Sequence, residues 1–280
     1  MPAAARRLIV TADDFGASPE VNEAVERAHR DGILTAASLM VAGDAVADAV
    51  ARARTLPLLG VGLHVVLVEG RPMLPPDRVP ALVDARGFFR TDMARMGLTI
   101  FASPAARRQL TAEVEAQFAA FAATGLPLDH VNAHKHYHLH PTIAATILKV
   151  GLRHGMTAVR APIEPQGPLR VVDGTEGSPR IETVWARLIR RRMRKAGMLV
   201  PDQVFGLAWS GHMTADRVTG LLGRLPPGLT ELYTHPATGP YPGSAPGYDY
   251  PGELAALTGD LAKALITRDR VTIGRFADFL

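Results

Sequence analysis

Short apolar runs alternate along this chain with segments in which apolar residues recur at helical spacing. Such alternation is typical of α/β proteins built on a parallel sheet. The apolar runs predict seven strands, the last of them the weakest, at residues 8–11, 36–41, 61–64, 130–133, 158–160, 230–233 and 270–273.

The helical segments carry start and stop signals. After the first strand, Ser18 suits an N-cap, Pro19 suits the first helical position, and Gly32 ends the periodic segment. The same spacing predicts further helices at residues 45–53, 104–123, 141–154, 183–196 and 214–222. Connections rich in proline and glycine are predicted to surround a pocket, at residues 69–80, 162–180 and 236–252.

Six or seven β/α steps in one chain of this length predict a deformed or incomplete TIM-like (β/α) barrel, with residues 1–280 forming a single domain. No G-x-G-x-x-G motif follows the first strand, which argues against a dinucleotide-binding sheet. With 280 residues, 47% of them hydrophobic, the chain is long enough to bury a large core.

The composition limits the possible metal ligands, the expected cellular location and the expected partners. The chain has no cysteine, so a bound metal would need imidazole and carboxylate ligands. No apolar run reaches the length of a membrane span, about 18 residues, and no signal-peptide core precedes the first strand. We therefore expect a cytoplasmic protein. The net charge of +4 is modest, and no nucleic-acid recognition motif occurs, so a nucleic-acid partner is not expected.

Polar residues follow the ends of five predicted strands: Asp13 with Asp14, His64, His134, Arg160, and Glu231 with His235. In a parallel barrel the carboxyl ends of all strands open on one face, so these side chains should converge. One carboxylate and two imidazoles bind a divalent ion while leaving positions open for water and substrate. We predict that Asp14, His64 and His134 are these ligands.

Asp13 stands directly beside the predicted ligand Asp14. One of two adjacent carboxylates can bind a metal while the other accepts the proton of a metal-activated water. Read alone, an Asp-Asp pair fits a structural turn, and a lone His64 fits a core histidine. The alternation of His134, His136, His138 and His140 also fits a nonspecific metal-binding loop, but the combination of all three features favours a catalytic site.

Four separated motifs resemble those of the YdjC/ChbG-like carbohydrate deacetylases, in that family's order: 11–16 (TADDFG), 62–64 (GLH), 129–138 (DHVNAHKHYH) and 231–236 (ELYTHP). The chain is most similar to the family's hopanoid biosynthesis-associated HpnK branch. The third motif differs, since Asn132-Ala133 stands where the family often has Asp-Ser, which leaves the role of these two side chains open.

The resemblance implies a deformed TIM-like barrel with one divalent metal ion, Mg²⁺ or Zn²⁺, that removes the N-acetyl group from an amino sugar. For the branch, the substrate would be an N-acetylglucosaminyl hopanoid lipid; soluble chito-oligosaccharides are the alternative. The resemblance makes Asp14, His64 and His134 the metal ligands, Asp13 the general base and His235 the general acid. Roles in orienting these groups or binding the sugar stay open for four residues, Arg160, Glu231, His136 and His138.

The segment 185–196 combines an apolar stripe with many arginines. Trp185, Leu188, Ile189, Met193 and Ala196 share one side of a helix. The favoured interpretation is a stripe packed on the barrel; the alternative is peripheral contact with an anionic inner membrane. A homodimer is a further hypothesis.

Two rival functions remain. Metal-dependent phosphoesterases and amidohydrolases also combine barrels with histidine and acidic ligands, although they usually place a His-x-His pair at the first strand. A sugar or lipid carrier without catalytic activity would have no need of the Asp13-Asp14 pair.

Overall fold

The computed structural model describes residues 5–176 and 180–280. Within these residues, seven strands form one sheet in which every recorded pairing is parallel. The strands are β1 (Arg6–Phe15), β2 (Ala36–Leu39), β3 (Gly60–Val65), β4 (Val131–Ala133), β5 (Gln203–Phe205), β6 (Gly228–Thr234) and β7 (Thr272–Ile273).

The sheet curls around a central space. Its strands follow the order β4-β3-β2-β1-β6-β5, and β7 pairs with the start of β1. Segment 158–163 lies between the two ends of this order: the Arg160 N–H donates to the Val131 carbonyl at 3.0 Å, and the Val204 N–H donates to the Ile163 carbonyl at 2.8 Å. The predicted fold, a deformed TIM-like barrel in a single α/β domain, is therefore confirmed.

Helices surround the sheet and bury their apolar faces against it. They are α1 (Pro19–Asp31), α2 (Val46–Arg54), α3 (Met93–Ala102), α4 (Pro104–Ala123), α5 (Pro141–Arg153), α6 (Gln166–Asp173), α7 (Arg180–Lys195), α8 (Ala215–Leu222), α9 (Tyr250–Thr258) and α10 (Asp260–Arg268). As predicted, Ser18 caps α1 by accepting the Val21 N–H at 3.3 Å. Short 3₁₀ turns occur at Pro76–Arg78, His134–Leu139 and Phe276–Phe279.

Several predicted element boundaries were wrong. Segment 158–160 forms isolated bridges to Val131 and Leu199 rather than a strand, and β5 was not predicted because it has only three residues. Helix α6 lies inside the predicted connection 162–180, of which residues 177–179 are outside the described residues. Helices α3, α9 and α10 were also missed, because short helices carry few periods of apolar spacing.

The predicted apolar stripe on α7 also needs correction. Ile189 and Met193 are buried, as expected for residues packed on the barrel. Trp185 and Leu188 instead retain 44% and 52% of their surface, and Val184 retains 53%. The packed stripe is therefore narrower than predicted, and a second apolar surface faces outward on the same helix.

Candidate metal centre and active site

The end of β1 carries a bulge that turns two adjacent carboxylates toward the barrel opening. Three steps along β1, from Ala12 to Phe15, match two steps along β2, so one residue is extra. Asp14 adopts a left-handed backbone with φ 64°. Successive side chains of a regular strand point to opposite faces, and a bulge re-aims one of them. Asp13 and Asp14 consequently border the same chamber.

The three predicted metal ligands meet at this end of the barrel. The Oδ1 atom of Asp14 lies 3.3 Å from His64 Nε2 and 3.1 Å from His134 Nδ1. The two imidazole nitrogens are 3.3 Å apart. Asp14 and His64 are almost fully buried, with 9% and 1% of their surfaces exposed, and the His134 side chain is 18% exposed. The structure thus brings together residues from β1, β3 and the end of β4.

These spacings fit a metal ion. Ligand atoms bound about 2.1 Å from a cation lie about 3.0 Å apart at a right angle and about 3.4 Å apart at the tetrahedral angle. The three distances between the ligand atoms of Asp14, His64 and His134, from 3.1 to 3.3 Å, fall in this range. The set is one carboxylate and two imidazoles, a combination that catalytic zinc sites use.

Hydrogen bonding around His64 also indicates a cation site. Asn132 lies opposite His64 in the β3–β4 register, and its Oδ1 is 2.6 Å from His64 Nδ1. The Asn132 amide donates to Asp13 Oδ1 at 3.0 Å and to Ser38 Oγ at 2.8 Å, so its oxygen must accept from His64. The neutral His64 ring then presents a lone pair on Nε2 toward Asp14. Two facing acceptors repel each other unless a proton or a metal ion lies between them.

Asp13 is held by a buried ion pair behind the chamber. Arg160 is fully buried and donates to both oxygens of Asp13, from Nη1 at 2.6 Å and from Nη2 at 2.9 Å. The same guanidinium donates to Glu231 Oε1 from Nη2 at 2.7 Å and from Nε at 3.0 Å. Neither Arg160 nor Glu231 lines the chamber, so their contacts position Asp13 rather than a substrate.

The electrostatics of the site follow from burial and these partners. Burial alone would raise the pKa of Asp13, but the Arg160 guanidinium outweighs it and holds the pKa well below its ordinary value. Burial likewise opposes ionisation of Asp14, while the neighbouring His134 lowers its pKa. For His64, the carboxylates of Asp13 and Asp14 outweigh burial and raise the pKa. A negative potential therefore surrounds the ligand atoms, which favours a bound cation.

His235 lines the same chamber, after the end of β6. Its ring centre lies 5.6 Å from that of Tyr233 and 5.4 Å from that of Tyr248. Its backbone N–H donates to Glu253, a buried residue of α9 that sequence reasoning missed. Burial raises the pKa of Glu253. Tyr241, in the loop after β6, and Tyr250, the first residue of α9, also line the chamber, whose volume is about 570 Å³.

His136 and His138 have different positions. His136 borders the chamber, and its Nε2 is 2.9 Å from the Tyr233 hydroxyl; burial and the nearby Arg160 lower its pKa well below the ordinary value. His138 does not border the chamber, and neither of its ring nitrogens has a hydrogen-bond partner within the described ranges. Burial lowers the pKa of His138 to about 3, so it stays neutral. His136 thus has access to the chamber, and His138 does not.

Asn132 and Tyr233 are the main functional residues that sequence reasoning left unassigned. Both lie in motifs singled out from the sequence, and strand alternation gave a signal for Asn132, which stands two residues before the predicted ligand His134. His130 continues the buried network, with Nε2 3.0 Å from Ser38 Oγ and Nδ1 3.0 Å from Asp129 Oδ2.

The chain matches the family model of YdjC-like proteins over residues 7–268. A carbohydrate deacetylase from Geobacillus stearothermophilus is 31% identical over 279 residues, covering 98% of both chains. One from Homo sapiens is 30% identical, covering 95% of this chain and 89% of the relative. One from Brevibacillus brevis is 42% identical over 144 residues, and there the match spans about half of each chain, 51% of this one and 55% of the relative.

A solved structure shows the same fold. The crystal structure of a protein from Enterococcus faecalis, named for cellobiose-phosphate cleavage, superimposes with a TM-score of 0.78 over 99% of both chains, at 21% sequence identity. At this identity the likeness supports the architecture alone. Because the family model covers most of the chain and the Geobacillus relative matches along nearly its whole length, this chain belongs to the YdjC-like protein family.

Proposed function

We propose that this chain is a metal-dependent N-deacetylase that acts on an acetylated amino sugar and releases acetate and the free amine. The observation that carries the proposal is the shared chamber: the three ligand atoms, the carboxylate of Asp13 and the imidazole of His235 all border it. Relatives named carbohydrate deacetylases support the substrate class.

A divalent ion held by Asp14, His64 and His134 would polarise the amide carbonyl and lower the pKa of a water molecule. Two imidazoles and one carboxylate accept either Mg²⁺ or Zn²⁺. Arg160 keeps Asp13 ionised at neutral pH, and the carboxylate of Asp13 is the proposed acceptor of the proton of the attacking water. Its two hydrogen bonds from Arg160 also fix its orientation.

The second half of the reaction needs an acid. An amine leaves the tetrahedral intermediate only when it is protonated, and imidazole is the side chain best suited to give a proton near neutral pH. His235 is the proposed donor, held by its backbone bond to Glu253 and by the flanking rings of Tyr233 and Tyr248. His136 and the Tyr233 hydroxyl are placed to contact the sugar.

The direct test measures acetate release from N-acetylglucosamine glycosides by metal-reconstituted protein. Asp13→Asn should lower kcat about 10²–10⁴-fold, the usual range for a general base, while one metal ion stays bound. Asp77→Asn is the matched control, because Asp77 is an exposed carboxylate outside the chamber. An active Asp13→Asn variant would refute the role of Asp13. Hydrolysis of phosphate esters without acetate release would favour a phosphoesterase instead.

As the finer substrate we propose a lipid-linked amino sugar, an N-acetylglucosaminyl hopanoid. The outward face of α7 supports it, since Val184, Trp185 and Leu188 are exposed beside Arg191 and Lys195. Apolar side chains next to basic ones favour contact with an anionic bilayer. None of the helices in the described ranges has the length and apolarity needed to span a bilayer. We propose peripheral binding at the inner membrane from the cytoplasm.

Vesicle binding tests this surface. The Trp185→Ser, Leu188→Ser double variant should lose co-sedimentation with phosphatidylglycerol vesicles, whereas Leu261→Ser on α10, which is 61% exposed, should keep it. Equal loss in both variants, or no binding by the unmodified protein, would contradict membrane contact. A higher kcat/KM on chito-oligosaccharides than on the glycolipid would favour the soluble substrate, and sedimentation velocity would show whether a homodimer forms.

A further inference from the structure

A second cavity adjoins the chamber at the metal centre. This cleft has a volume of about 460 Å³. It shares five lining residues with the chamber: Asp14, Glu69, His134, Tyr241 and Gly243. A ligand whose amide lies at the metal ligands can therefore extend into both cavities. Because an acetyl group is much smaller than the cleft, the proposed reaction alone does not account for this space.

The floor of the cleft is apolar. Val66 and Phe89 are buried in it, and Met40, Ala42 and Pro242 complete it. Ligand sites are typically lined by apolar side chains with a few polar groups at defined positions. This floor therefore offers an apolar ligand a surface to cover.

Three of the charged side chains that line the cleft already have partners. Glu69 forms an ion pair with Lys135, and Arg86 Nε lies 3.2 Å from Asp84 Oδ2. The guanidinium carbon of Arg71 stands 4.6 Å from the centre of the Phe88 ring. Side chains engaged in this way are poorly placed to bind sugar hydroxyls, which need several free donors and acceptors. The cleft thus suits an apolar group better than another sugar ring.

We propose that this cleft binds an apolar aglycone of the reacting amino sugar. The inference rests on the proposed deacetylase function. The leaving nitrogen must reach His235, which borders the chamber and not the cleft, so the sugar ring occupies the chamber. The anomeric carbon is bonded to the carbon that bears the amide. A substituent there can leave the chamber past the shared boundary of Glu69 and Tyr241.

The test compares the methyl and hexyl β-glycosides of N-acetylglucosamine as substrates of the metal-loaded protein. Burial of several methylene groups should give the hexyl glycoside a KM about tenfold lower. Ala42→Trp fills the cleft and Met40→Gln makes its floor polar, so each should remove this preference. The KM of the methyl glycoside should stay within about twofold in both variants. Ala122→Trp, at an exposed position of α4, is the matched control.

Three results would overturn the inference: equal KM values for the two glycosides, equal effects of the cleft variants on both, or a cleft-dependent preference for chitobiose or for an N-butanoyl group. Calorimetric binding of the hexyl and methyl glycosides of glucosamine needs no turnover, so it tests the cleft separately from the reaction. Tighter hexyl binding that Ala42→Trp and Met40→Gln both abolish would support the cleft even if no acetate were released, which would refute only the proposed function.

Discussion

Two parts of the site differ in how their polar atoms are paired. The strand side comprises Asp13, His64 and Asn132, and the loop side comprises His136 and His235. On the strand side, Asp13 and Asn132 have partners on each polar side-chain atom. On the loop side, the Nδ1 atoms of His136 and His235 are buried without a partner among the residues described. Unpaired buried nitrogens are costly, and at a site they are free to bind a ligand.

The geometry of the two sides has different origins. The strand side takes its positions from the sheet, because registers such as His64 opposite Asn132 place side chains within hydrogen-bonding distance. The loop side follows turns in which Lys135 and His136 adopt left-handed backbones, with φ 51° and 52°. Such conformations persist only where surrounding structure holds them, and they cluster at functional sites. We therefore expect strand-side changes to lower stability as well as turnover, and loop-side changes to lower turnover alone.

The largest stability effect should come from Arg160→Met. This change leaves the buried carboxylates of Asp13 and Glu231 without their shared cation, which should cost about 3–5 kcal/mol of unfolding free energy. Urea denaturation at pH 7 measures it. Adding Asp13→Asn and Glu231→Gln to the same chain should recover part of the loss; no loss in the single variant would show that the ion pair does not hold this half together.

His235→Gln should lower turnover and leave the unfolding free energy nearly unchanged. The backbone bond to Glu253 is kept, so we expect the unfolding free energy to change by less than about 1 kcal/mol. Loss of the proposed proton donor should lower kcat about 10²–10⁴-fold. Stopped acetate assays and urea denaturation on the same preparation check both values. If His235→Gln lost as much unfolding free energy as Arg160→Met, the distinction between the strand side and the loop side would be wrong.

Asn132→Ala should weaken metal binding. The amide fixes the tautomer of His64 and also contacts Asp13, and loss of such a supporting group typically costs about 10–100-fold in metal affinity or activity. Calorimetric titration with Zn²⁺ gives the affinity, and Asn132→Asp separates the two contacts. The aspartate can accept from His64 but cannot donate to Asp13, so it should retain metal affinity better than it retains kcat.

Asp129→Asn should have the smallest effect of these changes: it should lower the unfolding free energy at pH 7 and leave activity unchanged. Asp129 accepts the N–H groups of Phe276 and Ala277, far along the chain. Burial opposes its ionisation, but His130 and these N–H groups lower its pKa overall. A lowered folded pKa stabilises the protein above the unfolded value of about 3.9, and the gain disappears as pH falls through the folded pKa. The variant should be less stable at pH 7, and the difference from the unmodified protein should shrink as the pH falls below about 3.9.

The sequence predicted the strand side better than the loop side, for a physical reason. Strand ends in a parallel barrel converge whatever the connections do, so Asp14, His64 and His134 could be grouped before any coordinates were known. The bulge at Asp14 and the turn at His134–Leu139 depend on tertiary packing, which apolar periodicity does not encode. For the same reason the burial of His138 and the link between His235 and α9 were not predicted.

Helix α7 shows the same limit outside the site. Its helical spacing was predicted, but the spacing alone could not say which apolar side chains meet the barrel. The packed face meets α5 and the turn at His134–Leu139, and Trp185 and Leu188 remain exposed.

The central claim is that Asp14, His64 and His134 together hold one divalent ion that N-deacetylation requires. Titrating chelator-treated protein with Zn²⁺ or Mg²⁺ while following acetate release tests it most directly. We expect no release without metal, activity that saturates at one bound ion per chain, and an Asp14→Ala variant that neither binds the ion nor responds to it. Full acetate release from metal-free protein, or from Asp14→Ala, would contradict it.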